Sequence, residues 1–222
     1  MVSYKYFRKI LAENTPEYVF RFIYEQNLWG DKESVSGEGS SSNQTEVIIK
    51  EVPKLIKKYR IKSILDVPCG DFNWIRNVVN DNLIYVGGDI VGPIIKKNQR
   101  QYTRDNIKFI KINLISDPLP AADLLICRDC FVHFSYEDIK KSLNNIRKRK
   151  IKYLLLTTYT ERTHNRNILT GDWRPLNMEI RPFYLQSIHI INERCTERKQ
   201  NRRYLDKSLM LVQVNTIKDI LI

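Results

Sequence analysis

The stretch Ser63–Trp74, SILDVPCGDFNW, carries the clearest structural signal in this chain of 222 residues. Its first half is apolar and ends in one acid, Asp66, which is typical of a buried strand of a parallel sheet. A turn containing Gly70 follows, and a helix is predicted over 72–79. Ligands of open α/β sheets bind beyond the carboxyl ends of the strands, and a glycine lets the backbone approach a ligand closely. This strand, turn and helix therefore predict the floor of a ligand site.

Strands and helices alternate from this stretch to the end of the chain. Strands are predicted over 63–67, 83–87, 107–112, 123–127, 153–158, 187–191 and 208–214, and further helices over 93–102 and 135–149. Such alternation predicts a mostly parallel sheet with helices on both faces. The last two strands have no helix between them and predict an antiparallel hairpin. The fold class is therefore α/β, with seven strands and three layers.

The N-terminal part is predicted to be an appended helical element. Thr15-Pro16-Glu17 starts a helix that runs to about Leu28, and another helix covers 45–59, where Pro53 marks a kink or a late start. Between them lies Ser34–Asn43, SVSGEGSSSN, without hydrophobic periodicity. Two interpretations stay open for it, a flexible linker and a lid loop over a ligand. The predicted division is an N-terminal helix and lid loop over 1–44 and a main domain over 45–222.

Composition narrows the class of protein. Hydrophobic residues make up 42% and charged residues 28%, as in ordinary globular proteins, and no apolar run reaches the ~20 residues that span a bilayer. The N-terminus lacks the apolar core of a secretory signal, and four cysteines do not form a disulfide framework at this length, so a cytoplasmic location is expected. Cys127 and Cys130 have neither a second pair nor histidines at zinc spacing, so no metal is predicted.

The chain is strongly basic, with a formal charge of +12 and a pI near 9.5. This charge favours an anionic partner, which is a nucleic acid, a membrane surface or an acidic small substrate. The basic runs are spread over several places, and each is equally typical of a solvated helix end. Charge alone therefore leaves the partner open.

Two acids end neighbouring strands. Asp66 closes the first strand and Asp89 closes the second, where a carboxylate can accept hydrogen bonds from ribose hydroxyls. Nicotinamide cofactors use the same geometry but need G-x-G-x-x-G, and this turn has only Gly70, beside an Asp71 that would repel a diphosphate. An acid-flanked turn suits a ligand with sulfonium and ammonium groups. The alternative is that Asp66 and Asp71 only cap the turn.

SILDVPCGDF resembles motif I, acid-x-Gly-x-Gly, of the class I (Rossmann-like) S-adenosylmethionine-dependent methyltransferases. The resemblance covers roughly residues 46–214 and departs from the pattern at Pro68 and Phe72, which replace glycines, and at Asn113, which replaces an Asp. It implies a Rossmann-like fold, S-adenosylmethionine as cofactor with S-adenosylhomocysteine as product, Asp89 on the ribose and Asn113 at the adenine. The predicted cofactor contacts are Asp66, Pro68, Cys69, Gly70, Asp71, Trp74, Asp89, Ile90, Asn113, Leu114, Arg128 and Gln44.

A narrower resemblance rests on five short segments. GEGSS (37–41), CGDFNW (69–74), GGDIV (87–91), CRDCFVHFS (127–135) and TGDWRPLN (170–177) are similar to a group of bacterial methyltransferases often encoded near surface-polysaccharide or small-molecule biosynthesis genes. The resemblance implies a role in such biosynthesis. It does not identify the substrate.

The turn after the fourth strand is the predicted catalytic site. Asp129 and His133 are the candidate bases, because an alcohol needs help to lose its proton at neutral pH. The alternative for His133 is a packed histidine that ties the loop to the next helix. Arg128 is expected to bind the cofactor and an acidic group of the substrate, or to pair with Asp129.

Two further segments are predicted to contact the substrate. Trp173 and Arg174 lie in a long loop after the fifth strand, and they offer an apolar face and a fork for anions. They are interpreted as a recognition wall, with a structural plug as the alternative. Trp29 is expected to close the site together with residues 36–41.

The predicted function is therefore transfer of a methyl group to a small molecule, by O-methylation of a sugar-linked or anionic acceptor. The turn after the fourth strand ends in Cys-Arg-Asp-Cys rather than the Asn/Asp-Pro-Pro-aromatic motif typical of base-amino methylation. An RNA methyltransferase remains an alternative because of the charge. A non-catalytic Rossmann-like partner protein is the alternative from another class.

Overall fold

The computed structural model describes residues 2–196 and 204–220. Five α-helices lie in this part of the chain: α1 (Tyr4–Glu13), α2 (Pro16–Glu25), α3 (Ser42–Lys58), α4 (Gly92–Tyr102) and α5 (Tyr136–Arg147). The strands are β1 (Ser63–Asp66), β2 (Ile84–Asp89), β3 (Ile107–Lys111), β4 (Ala122–Cys127), β5 (Ile151–Tyr159), β6 (Ser187–Asn192) and β7 (Lys207–Gln213). No helix of the described residues is both long enough and apolar enough to cross a membrane.

All seven strands form one sheet, in the order β3-β2-β1-β4-β5-β7-β6. The pairs β1–β2, β1–β4, β2–β3 and β4–β5 are parallel, whereas β7 runs antiparallel to both β5 and β6. The predicted α/β class, the mostly parallel sheet and the antiparallel terminal hairpin are confirmed. The order reverses beside β1, so β1 and β4 stand at the switch point where such sheets bind ligands.

The core lies on both faces of the central strands, because successive side chains of a strand point to opposite faces. Leu65, Leu125 and Leu154 belong to the cluster on one face. Ile64, Leu124 and Leu155, their neighbours in sequence, belong to the cluster on the other. Burial on both faces explains why these strands are almost continuously apolar, and it makes the sheet a rigid base for the turns at its edge.

The helix predicted over 72–79 is wrong. Only a short 3-10 turn, Ile75–Asn77, follows the Gly70 turn. Phe72 has a φ of +62°, in the left-handed region that a right-handed helix cannot use. The centroid of its ring lies 5.1 Å from that of Tyr85 and 5.2 Å from those of Tyr102 and Phe109. The aromatic cluster holds this backbone conformation in place of a helix start.

The N-terminal helices differ in extent from the prediction. Helix α1 was missed, although Ser3 caps it by accepting a hydrogen bond from the N–H of Tyr6. Thr15 caps α2 as predicted, but α2 ends at Glu25 rather than near Leu28. Helix α3 starts at Ser42, includes Pro53 and spans the predicted domain boundary at residue 44. Helix α5 starts after its predicted cap, Ser135.

Candidate active site

A cavity lies beyond the carboxyl ends of β1, β2 and β4, at the switch point of the sheet. Its interior volume is about 130 Å³, and the space is about 1070 Å³ when the open mouth is included. Most of the predicted cofactor and catalytic residues line it: Pro68, Cys69, Gly70, Asp71, Trp74, Asp89, Ile90, Asn113, Leu114, Arg128, Asp129 and His133, with Trp29 from the N-terminal part. We call it the first cavity.

Asp89 is fixed in the wall of the first cavity by backbone donors. Its Oδ2 accepts the N–H of Gly70 at 3.1 Å and its Oδ1 accepts the N–H of Val91 at 2.9 Å. Burial raises the pKa of Asp89 to about 6, although these two hydrogen bonds lower it. The carboxylate is therefore ionised at neutral pH and oriented toward the cavity with acceptor capacity remaining on both oxygens.

Asp66 has a different place from the one predicted. It does not line the cavity, it is 2% exposed, and its Oδ2 accepts the hydroxyl of Tyr85 at 2.7 Å. Burial raises the pKa of Asp66 to about 7, although the Tyr85 hydrogen bond lowers it. The prediction of direct cofactor contact by Asp66 is not supported, because its side chain points into the sheet rather than beyond the strand end.

Residues 34–41 fold over the Gly70 turn. The carboxylate of Asp71 accepts the hydroxyl of Ser34 at 3.0 Å and the N–H of Val35 at 3.1 Å. A Cβ on Gly70, which has a φ of +52°, would lie 2.2 Å from the Ser36 Oγ. The segment packs against the cavity in the position of a lid and is anchored to motif I. Asp71 therefore binds the lid segment with both of its oxygens.

Arg128 sits at the centre of a buried charge cluster. Its guanidinium donates to Glu193 at 2.6 Å and lies 3.3 Å from Asp129. The ammonium of Lys207 donates to Asp129 at 2.8 Å and lies 3.9 Å from Glu193. The Arg128 guanidinium also donates to the Gly39 carbonyl at 2.7 Å. Two cations and two carboxylates therefore compensate one another beneath the lid segment.

This cluster determines the charge state of Asp129. Burial raises the pKa of Asp129, but the charges of Lys207 and Arg128 outweigh burial and hold it well below its usual range. Its Oδ1 also accepts the hydroxyl of Thr157 at 3.2 Å. Asp129 is thus a carboxylate whose oxygens are already bound, which makes it a weak proton acceptor.

His133 faces the first cavity with one defined nitrogen. Its Nδ1 lies 2.9 Å from the Asp172 carbonyl oxygen, which can only accept, so Nδ1 carries the proton and Nε2 keeps a lone pair. Its ring lies 4.8 Å from that of Trp29. Burial lowers the pKa of His133 to about 4, so the ring is neutral at pH 7.

A second cavity adjoins the first, and Trp29, Ser36, Asp129 and His133 line both. Its other walls are aromatic and polar: Tyr159, Trp173, Tyr204, Lys207, Glu38, Leu28 and the lid backbone at Gly37 and Gly39. Trp173 and Trp29, the predicted substrate contacts, both line this cavity. We call this the second cavity.

Arg174 is not in either wall. It is fully buried, and its guanidinium donates to the carbonyl oxygens of Phe131 and Phe134, both at 2.6 Å. Burial lowers the pKa of Arg174 to about 9, which leaves it charged at neutral pH. Two of its hydrogen bonds hold the long loop against the turn before α5, and a third, to the Arg166 carbonyl at 3.3 Å, lies within the loop, so the structure places Arg174 away from the predicted substrate contact. It has the structural role that was the alternative.

Gln44 also lies away from the first cavity. Its side chain exchanges hydrogen bonds with Thr196, donating to Oγ1 at 3.0 Å and accepting the N–H at 2.9 Å. It joins α3 to the chain after β6, so the predicted cofactor contact is wrong for Gln44.

Sequence reasoning missed the second half of the charge cluster and most of the aromatic wall. Glu193 follows β6 and Lys207 begins β7, while Tyr159 ends β5 and Tyr204 precedes β7. A lysine at the start of a strand as apolar as β7 was a signal that a buried acid must pair with it. The aromatic positions had no such signal, because their meeting depends on strands far apart in sequence.

Comparison with known proteins supplies only structural relatives. No family model matches the sequence, and no curated protein matches it either. Human N-acetylserotonin methyltransferase, solved in complex with SAM, is 12% identical, with a TM-score of 0.63, and the match covers 93% of this chain and 61% of that one. This chain thus spans about three fifths of that protein.

Two further solved structures extend the comparison. An O-methyltransferase family protein from Burkholderia thailandensis is 13% identical with a TM-score of 0.53, and the match covers 89% of this chain and 71% of that one. The [4+2]-cyclase SpnF is 15% identical with a TM-score of 0.53, over 73% of this chain and 79% of that one. Identities this low establish the fold but not the reaction. The chain therefore has the Rossmann-like fold that solved methyltransferases share with a cyclase.

Proposed function

We propose that this protein is an S-adenosylmethionine-dependent methyltransferase that methylates a hydroxyl oxygen of a small molecule. One observation carries the proposal: Asp89 is held by the backbone of the Gly70 turn in the wall of a cavity that opens at the switch point of the sheet. A fixed carboxylate at the end of the second strand, beside a glycine turn, is suited to bind the two hydroxyls of a ribose.

The residues around Asp89 fit the rest of that cofactor. Ile90, Asn113 and Leu114 form the part of the wall beyond β2 and β3, where an adenine would lie against apolar side chains. Gly70 and Asp71 line the part of the cavity assigned to the amino-acid part, and the Asp71 carboxylate would attract its ammonium group with the lone pairs that the lid segment leaves. When bound, the cofactor supplies an electrophilic methyl group.

We assign to His133 the role of accepting the proton that the acceptor hydroxyl loses. Its Nε2 lone pair is set by the Nδ1 contact with Asp172, and its ring lies between the two cavities. Burial lowers the pKa of His133 to about 4, so the ring is neutral at pH 7 and can orient the hydroxyl by accepting its hydrogen bond. The hydroxyl oxygen becomes positively charged as it takes the methyl group, and its proton is then acidic enough to pass to a base as weak as this ring. Asp129 instead positions Lys207 and the turn, because its oxygens are already bound.

Further proposals concern the biosynthetic role of the protein, its acceptor and the division of the chain. The resemblance of the five segments to the bacterial group supports a role in surface-polysaccharide or small-molecule biosynthesis, in the cytoplasm, and a sugar-linked acceptor is the matching proposal. The second cavity supports a small acceptor, since it adjoins the first at His133. The division of the chain into a lid-bearing part, 1–44, and a catalytic part, 45–222, also remains a proposal.

Calorimetry with S-adenosylhomocysteine tests the cofactor. We expect one site per chain in the wild type, and an affinity lower by about ten-fold or more in Asp89→Asn, because an amide cannot accept from both ribose hydroxyls. Asp105→Asn removes an exposed acid outside both cavities and is the matched control, with unchanged affinity. Absence of heat in the wild type would contradict the proposal and favour the non-catalytic partner protein.

The rival with a specific observation behind it is an RNA methyltransferase, favoured by the charge of +12. It is tested with labelled S-adenosylmethionine and total RNA. We expect only non-specific RNA binding that falls steeply between roughly 50 and 200 mM salt, as phosphate contacts do, and no label in the RNA. Label in RNA that persists at the higher salt would replace the small-molecule proposal.

A further inference from the structure

The second cavity has one wall built of aromatic rings. These rings, Tyr159, Trp173 and Tyr204, meet edge to face. The centroid distances are 6.3 Å for Tyr159–Trp173, 5.9 Å for Tyr159–Tyr204 and 5.2 Å for Trp173–Tyr204. They pack on a small buried cluster that includes Val132, which fixes their positions. Trp29 stands at the boundary with the first cavity. An aromatic face attracts the positive edges of another ring, so this wall suits a ring-shaped ligand.

The charges around the second cavity are compensated within the protein. Lys207 is paired with Asp129 at 2.8 Å and lies 3.9 Å from Glu193, and Arg128 is paired with the same two acids. Exposed Glu38 adds a further carboxylate to the lining of this cavity. Within residues 2–196 and 204–220, Lys207 is the only Lys or Arg that lines this cavity, and its charge is already matched. A ligand anion would therefore meet two carboxylates and compete for a committed cation.

We infer that the second cavity binds an uncharged ring that carries a hydroxyl, a pyranoside or a phenol. The ring lies against Trp173 and Tyr204, and the hydroxyl reaches the Nε2 of His133. This inference rests on the proposed function, which assigns to His133 the proton of the acceptor hydroxyl. It also narrows the charge of the acceptor, because Arg128 and Arg174, the two cations expected to bind an anionic acceptor, are engaged by the protein itself.

Matched pairs of small molecules test the inference by ligand-observed NMR titration of the full chain, with and without S-adenosylhomocysteine. One pair is methyl β-D-glucopyranoside and methyl β-D-glucuronide, and the other is 4-hydroxybenzyl alcohol and 4-hydroxybenzoate. We expect the neutral member of one pair to bind at least about ten-fold more tightly than its acid, and the pair that responds identifies the ring type. Tighter binding of either acid, or no binding of either neutral compound up to about 10 mM, overturns the inference.

Variants locate the binding. Trp173→Ala is expected to weaken the neutral ligand by about ten-fold, and Trp173→Phe to retain most of the affinity, which guards against loss of folding in the alanine variant. Glu38→Gln is expected to raise the affinity of the acid several-fold toward that of its neutral partner. Tyr4→Ala, which removes an aromatic ring 78% exposed on α1, is the matched control with no effect. Unchanged neutral binding in Trp173→Ala overturns the inference.

The two proposals fail separately. If S-adenosylhomocysteine gives no heat while a neutral ring binds and depends on Trp173, the methyltransferase proposal is lost and the site remains. If S-adenosylhomocysteine binds through Asp89 while the acids bind best, the acceptor inference is lost and the methyltransferase proposal remains.

Discussion

Two acids with the same sequence context have different roles. Asp66 and Asp89 each end a buried strand, and both were expected at the cofactor. Asp89 is bound by backbone N–H groups in the cavity wall, whereas Asp66 points into the sheet and accepts the Tyr85 hydroxyl. Burial raises the pKa of Asp66 to about 7 and that of Asp89 to about 6. The raised pKa of Asp66 makes the stability of the fold depend on pH.

Asp66→Asn should flatten that dependence. The folded protein binds the Asp66 proton more tightly than the unfolded chain, so the stability it contributes is present below about pH 4 and is lost as the pH rises through about 7. An amide oxygen still accepts the Tyr85 hydroxyl but never becomes charged. Urea unfolding should show the variant more stable than the wild type by about 1–3 kcal/mol near pH 8 and little changed near pH 4.

The control for this prediction is Asp105→Asn, which lies on an exposed turn. It should keep the wild-type dependence on pH. If Asp66→Asn has the same difference in unfolding free energy between the two pH values as the wild type, then Asp66 is not the titrating group.

At the level of elements, the site is a contact between a turn and a lid. Gly70 and Phe72 both have positive φ, and this sharp turn brings the lid segment 34–41 onto motif I. Asn73 extends the contact by donating to the Ser40 carbonyl at 2.9 Å. Because a turn of this shape has no room for a Cβ at residue 70, the two elements are complementary only with glycine there.

The substitution Gly70→Ala should therefore separate the lid segment from the Gly70 turn. An added Cβ would meet the Ser36 Oγ at 2.2 Å, and alanine at a φ of +52° is itself disfavoured by about 1 kcal/mol. We expect binding of S-adenosylhomocysteine to weaken by about ten-fold or more, and hydrogen exchange of the lid segment to become faster. Gly92→Ala is the matched control, since its Cβ would meet only the Lys111 side chain at 3.8 Å. Equal affinities in the two variants would contradict this role of the turn.

Across the whole molecule, the buried charge cluster joins parts that are distant in sequence. Arg128 and Asp129 follow β4, Glu193 follows β6, and Lys207 begins β7. The Gly39 carbonyl brings the lid segment into the same network. A buried ion pair is a weak source of net stability, but removal of one partner leaves an uncompensated buried charge. The cluster thus makes the orientation of the hairpin depend on four charges together.

Glu193→Gln should be strongly destabilising for that reason. Arg128 and Lys207 would lose one of the two carboxylates that face them, and we expect the free energy of unfolding to fall by about 3–5 kcal/mol in urea titrations. Glu46→Gln breaks an exposed pair with Lys50 on α3 and should cost at most about 0.5 kcal/mol. A loss for Glu193→Gln as small as that of the control would show that the cluster does not hold the hairpin.

The pattern of the chain alone predicted the fold and the position of the first cavity. Continuously apolar strands, helix caps at Thr15 and Ser135, and the Gly70 turn are local signals, since each depends on residues near one another in sequence. They were enough to predict a mostly parallel sheet with a terminal hairpin and to place Asp89, Asn113 and Asp129 at the ends of its strands. They failed at 72–79, because the backbone conformation of Phe72 depends on an aromatic cluster whose other members belong to other elements.

Tertiary structure decided what the side chains at that edge do. Arg174 and Gln44 were expected at the ligand, yet their partners, the Phe131 and Phe134 carbonyls and Thr196, lie 40–43 and 152 residues away in sequence. The pairing of Lys207 with Asp129 likewise spans 78 residues. A side chain's neighbours, and with them its charge state and role, are set by how separate elements pack, and no local pattern encodes those contacts.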